Sequence, residues 1–222
     1  MVETPEFLKA EKPATVPLRN LLRRHPLPVL LALGISIISN SSFYLLLYIP
    51  TYGVKQLHLP AYTGFVATLV GGVILAVGCP LAGHWSDKIP RPLIMVVMCS
   101  LFVLTAYPSF YLMVAWPSLV ACIIAVGWLN LVKAGYSGVL PSLMAEQFPV
   151  ETRAIGVSLG YSISVTIFGG FAPFIATWLI AQTGDPLSPS YYLMFTALLS
   201  LVSLMAIQWR TARRDRAFAL AG

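Results

Sequence analysis

The chain has 222 residues, of which 58% are hydrophobic and only 10% charged, with a formal net charge of +6. An ordinary globular domain is about 25% charged, so a chain this poor in charge cannot cover itself in water, and its solvent is lipid. The positive balance does not point to nucleic acid, because the charges sit at the ends of apolar runs and not in a stripe interleaved with exposed aromatics.

Residues 1–26 carry Glu3, Glu6, Lys9, Glu11 and Lys12 and have no apolar core of a signal peptide, so the first span is expected to serve as the insertion signal. Six apolar runs follow, at 27–49, 61–83, 93–112, 117–143, 155–182 and 191–209. Each is long enough to cross a hydrocarbon core of about 30 Å as a helix. They do not alternate as barrel strands would. Residues 27–209 therefore form one all-α bundle of six transmembrane helices, and 210–222 a basic tail. Lys and Arg collect before the first run, between runs two and three, between four and five, and in the tail, while the opposite loops hold only Lys55. The positive-inside rule then predicts an inner (plasma) membrane protein with both termini in the cytoplasm.

The first run carries a polar stripe of Ser36, Asn40 and Tyr44 at a spacing of four, on one helix face. These groups serve either a ligand or a neighbouring helix. The second run repeats small residues at Gly64, Thr68, Gly72 and Ala76, and the fifth at Gly156, Gly160 and Ser164. Small residues let helix backbones approach closely in lipid, which makes Gly64, Gly72, Gly156 and Gly160 the predicted packing positions.

The turn after the second run, Gly83 to Arg91, holds one acid and two bases. Asp87 is expected to pair with Arg91, with Arg153, or with the positive end of the fifth helix. Such pairs, with Lys88 beside them, would latch one side of the bundle shut; the alternative is a solvated turn whose exposed pairs contribute little.

In the fourth run Lys133 is the one ionisable side chain deep in a span, sharing a face with Asn130 and Ser137. A charge there is costly and faces a cavity or a partner, unless the lysine snorkels to the surface. Gly135, Gly138 and Pro141 predict a bend just beyond it. Asn40, Tyr44, Asn130 and Lys133 are the substrate-binding candidates. Cys79, Cys99 and Cys122 are scattered in apolar runs and His25, His58 and His84 stand apart, so neither a metal site, a cofactor site nor a disulfide is expected. No nucleophile elbow, phosphate loop or HExxH is present, and an enzyme is not expected.

The turn Gly83–Arg91 resembles the signature loop of the major facilitator superfamily, G-x-x-x-D-[RK]-x-G-R-[RK], with Gly83, Asp87, Lys88 and Arg91 matching and Pro90 and Pro92 departing. The stretch Glu146 to Val157 resembles the E-x-F-P-x-x-x-R-x-x-G segment of its metabolite:proton symporter branch, whose members carry citrate, 2-oxoglutarate, proline and betaine. Ile167 to Pro173, and Thr183-Gly184-Asp185 followed by Pro189 and Tyr191-Tyr192, are similar to the same branch. The resemblance implies that residues 27–209 are the last six of twelve spans of a symporter and residues 1–26 the cytoplasmic linker between its halves, two bundles that rock around a central cleft to move a small carboxylate or zwitterion with protons. It leaves open whether this half works paired with a second bundle, as a missing first half or another copy, or is a truncated transporter without transport of its own.

Overall fold

The computed structural model describes residues 26–221, with side chains to residue 212. The linker-like segment and most of the basic tail's side chains lie outside the described residues. Every described element is helical. They are α1 (Pro26–Lys55), α2 (Ala61–Trp85), α3 (Arg91–Ala115), α4 (Leu119–Ser137), α5 (Leu140–Glu146), α6 (Arg153–Ser164), a π-helical turn π1 (Val165–Gly170), α7 (Ala172–Thr183) and α8 (Ser188–Ala221). Six helical stretches are long and apolar enough to cross a membrane: α1, α2, α3, α4 with α5, α6 through α7, and α8 to residue 212. All six predicted spans are present.

Local chemistry explains the breaks. Ser118 caps α4, its hydroxyl accepting from the Ala121 amide at 3.2 Å. The predicted bend falls at Gly138–Val139, and α5 restarts with Pro141 in its first turn, where a missing N–H costs nothing. The fifth span is interrupted by π1, after which Pro173 opens α7. Gly184, with φ 68°, closes α7 in the left-handed conformation that glycine adopts without strain.

The bundle is built around α1 and α4. In their most apolar windows 78% and 67% of residues are buried, against 17% in α2. α1 packs against α2, α6, π1 and α8, while α4 packs against α2 and α3, and α8 closes the ring by contacting α3. Leu69, Val73, Val77 and Leu81 of α2 stand exposed on its outer side.

Glycines bring α2 and α4 together, but not in the predicted register. A Cβ on Gly78 would lie 2.6 Å from the Ala134 Cβ, Gly71 abuts the Asn130 amide, and Gly138 abuts the Cys79 carbonyl. Gly64 packs on Pro50 of α1. Gly72 meets nothing within 4 Å. The reason is helical geometry: a spacing of four drifts about 40° around the helix at each step, whereas a spacing of seven drifts only about 20°. Gly64, Gly71 and Gly78 therefore share the inner face, and Gly72 turns outward. Of the fifth-span glycines, Gly156 abuts the Phe148 ring, and Gly160 lies against the α1 backbone, its Cβ position 3.0 Å from the Ala32 Cβ.

The two kinds of glycine predict different outcomes. Gly160→Val drives a side chain into the α1 backbone and should cost about 1–3 kcal/mol, lowering the thermal unfolding midpoint of the detergent-solubilised chain. Gly72→Ala should leave that midpoint unchanged.

Candidate functional site

The site rests on how α1 is held. Ser200 of α8 stands between the Gly34 carbonyl, to which its hydroxyl donates at 2.8 Å, and the Ile38 amide, from which it accepts at 3.0 Å. An uninterrupted helix joins those two backbone groups directly. One residue on, the Tyr136 hydroxyl of α4 donates to the Ile35 carbonyl at 2.6 Å. Ser41 donates to Thr196 of α8 at 3.0 Å, and the Cys99 thiol of α3 donates to the Ala197 carbonyl at 3.0 Å. Bonds from two neighbouring helices pin α1 in rotation, so these contacts set the direction in which residues 39–44 project.

From that register α1 presents two faces. Its Asn40, Tyr44 and Tyr48 face the fifth span. The Asn40 amide donates to the Ser164 hydroxyl at 3.1 Å. Tyr44 lies against Gly169, where a Cβ would come within 2.8 Å of the ring, and the Thr177 hydroxyl donates to the Tyr48 oxygen at 3.0 Å. Opposite Tyr44 the π1 turn leaves the Phe168 carbonyl to accept from the Tyr192 hydroxyl at 2.6 Å. The other face meets α4. Ser39 and Ser137 share a hydrogen bond of 3.0 Å, and the Lys133 ammonium sits 4.2 Å from the centroid of the Phe43 ring.

Lys133 is only 3% exposed and holds its head in mid-span over Phe43, not at the membrane surface. Burying an ammonium in a span is costly, and an aromatic face offsets only part of that cost. The Phe43 ring meets the Tyr44 ring edge-on at 5.5 Å. Lys133, Phe43 and Tyr44 thus form one continuous cluster, with Phe43 half exposed. Asn130 belongs elsewhere, since its amide donates to the Val126 carbonyl at 2.9 Å and fills the space beside Gly71. Asn40 reaches the cluster through Tyr44, its own amide engaged by Ser164.

At the turn between α2 and α3 the structure pairs Arg91 with Glu146, the last residue of α5, not with Asp87. Flanked by Pro90 and Pro92, Arg91 is held at the first position of α3. The Gly138–Val139 break brings the end of α5 across to it. Among the described residues Asp87, Lys88 and Arg153 form no ion pair and the buried Nε of Arg91 has no hydrogen-bond partner. Among the described residues no three His, Cys, Asp or Glu side chains come together as a metal site would require.

Sequence reasoning missed Ser200, Thr196, Phe43 and Glu146. Thr196 and Ser200 carry a faint signal, two hydroxyls four residues apart on one face of an apolar helix. Phe43 has only its place beside the Ser36–Asn40–Tyr44 stripe, and an aromatic residue in a span usually reads as lipid-facing.

The sequence profile of the Major Facilitator Superfamily matches residues 2–157. Among curated proteins, the chain is 33% identical over 175 residues to the citrate-proton symporter of Klebsiella pneumoniae, covering 78% of this chain and 39% of that protein. It is 28% identical over 193 residues to the ectoine/proline transporter ProP of Corynebacterium glutamicum, covering 86% and 38%. A putative proline/betaine transporter of Staphylococcus aureus is 30% identical over 171 residues, covering 76% and 36%. The chain spans about two fifths of the length of these relatives. No solved structure matches it.

Removing the α1 clamps should be felt in stability. Tyr136→Phe strips a donor from the Ile35 carbonyl, and interhelical hydrogen bonds in membranes contribute about 0.6–2 kcal/mol. Ser200→Ala, which strips two backbone groups, should lower the midpoint in denaturant more than Tyr136→Phe does.

Proposed function

Because this chain belongs to the Major Facilitator Superfamily, we propose that it is one six-helix wall of a proton-coupled carrier for a small carboxylate or zwitterionic solute. The observation that carries the reading is Lys133. It is a buried cation in mid-span, its described contact an aromatic ring and not an acid, on the side where Phe43 stands open. A lysine so placed is matched to the carboxylate of a passing solute. The relatives' printed names, citrate-proton symporter and ectoine/proline transporter, support carboxylate-bearing cargo, and the first supports proton coupling.

The opposing wall is a second six-helix bundle, supplied by a separate first half or by another copy. The open outer side of α2, with Gly72 and the exposed Leu69, supports a second surface there. Transport then proceeds by rocking of the two bundles around the solute. Arg91 and Glu146 hold the cytoplasmic end of α3 to α5, and the exposed Asp87, Lys88 and Arg153 at the same end offer contacts to the opposing bundle. These contacts close that end and part when it opens. The Lys and Arg distribution supports an inner-membrane location with both termini in the cytoplasm.

Uptake of labelled citrate, 2-oxoglutarate, proline and betaine under a proton gradient tests the reading in vesicles holding the assembled carrier. Uptake of at least one solute should collapse with an uncoupler and fall about a hundredfold in Lys133→Met, as loss of a charged contact of about 3 kcal/mol would produce. Normal uptake with Met at position 133 contradicts the assignment. For the latch, Arg91→Glu should slow turnover, and adding Glu146→Arg should restore part of it, since the swap rebuilds the pair.

A further inference from the structure

Phe43 does more than fill space beside Lys133. Its ring face is a seat for a cation, because the aromatic quadrupole attracts an alkylammonium or a quaternary ammonium alike. The seat is taken by the Lys133 ammonium, 4.2 Å from the centroid. Tyr44, edge-on to Phe43 at an interplanar angle of 86°, sets a second aromatic wall beside it. Phe43 is 43% exposed, so the seat can be reached from outside the bundle. Lys133 is the one buried cationic side chain among the described residues.

We propose that Phe43 is the specificity-determining residue of this site, its ring holding the Lys133 ammonium until a solute's own ammonium takes that seat and the solute's carboxylate takes Lys133. The inference rests on the reading that this face binds a solute. A carboxylate is a better partner for Lys133 than a ring, because it brings a full opposite charge into a low-dielectric site. Drawing Lys133 off the ring leaves the Phe43 face vacant. A solute with an ammonium one carbon away from its carboxylate refills it in the same step, so both cation and anion end paired. A simple monoanion satisfies Lys133 but leaves the ring empty. A tricarboxylate brings three negative charges to a face with one buried cation, and unpaired charge in a span is costly. The site therefore selects amino-acid-like or betaine-like zwitterions over tricarboxylates, although a citrate-proton symporter is among its relatives.

Equilibrium binding of labelled betaine, proline, acetate and citrate to the full chain in nanodiscs separates the outcomes. Betaine and proline should bind at least about tenfold more tightly than acetate or citrate. Phe43→Leu, which keeps apolar bulk without the π face, should erase the preference: acetate, which no longer has to draw Lys133 off the ring, should tighten about tenfold while betaine changes little, and Phe43→Tyr should retain the preference. Citrate or acetate binding as well as betaine, or a betaine-over-acetate preference that survives Phe43→Leu, overturns the exchange while leaving a solute site at Lys133 standing. Binding of none of the four overturns the solute site and the exchange together.

Discussion

Inside a bilayer no water is available to satisfy a backbone group, so every exposed N–H or C=O must find a partner in the protein. That constraint is concentrated on α1. The Gly34, Ile35 and Ile38 backbone groups are served by hydroxyls from α8 and α4, and its side-chain hydroxyls and amide reach α4, α6 and α8 in turn. The helix is consequently pinned in rotation as well as position. A turn of α1 about its axis would orphan several of these groups at once. The same pinning places Phe43 against Lys133 and Tyr44 against Gly169. The cluster is thus a consequence of how the first span is satisfied.

The spans were legible because a run of about twenty apolar residues has few other solutions. The family was legible in the Gly83–Arg91 turn and the Glu146–Val157 segment, where the spacing of charged and small residues is distinctive. Partners were not legible. Periodicity tells which residues share a face, but not what that face meets, and over several turns a spacing of four misleads. Gly72 looked equivalent to Gly64, yet one faces outward and the other packs on Pro50. Arg91 looked closest to Asp87 in sequence, yet the break after α4 carries Glu146 to it. Lys133 stood out from the chain alone, because a charge in an apolar run has no bland partner in its own helix. Asn130 on the same stripe went instead to helix packing.

A division of labour between the helices follows. α1 and α4 are buried and carry the polar cluster, α3 and α8 brace them from outside, and α2 together with the fifth span presents apolar surface with small residues and a π-helical turn. π-helical turns inside helices occur frequently at functional sites, and Gly169 of this one lies against the Tyr44 ring. On the proposed reading, the solute meets the Lys133–Phe43–Tyr44 cluster on the open side, and a second bundle covers α2. The Arg91–Glu146 pair at the loop end ties α3 to the broken fourth span, so movement at that end is mechanically linked to the helix that carries Lys133.

The claim most exposed to test is that a protein surface, and not lipid alone, covers the outer side of α2. A photo-reactive amino acid at position 69, where Leu69 is 70% exposed, can be compared with one at position 202 of α8, where Val202 is 65% exposed. In intact membranes protein adducts are expected from position 69 and lipid adducts from position 202. Lipid adducts alone from both positions would contradict a second bundle on α2 and, with it, the two-walled carrier.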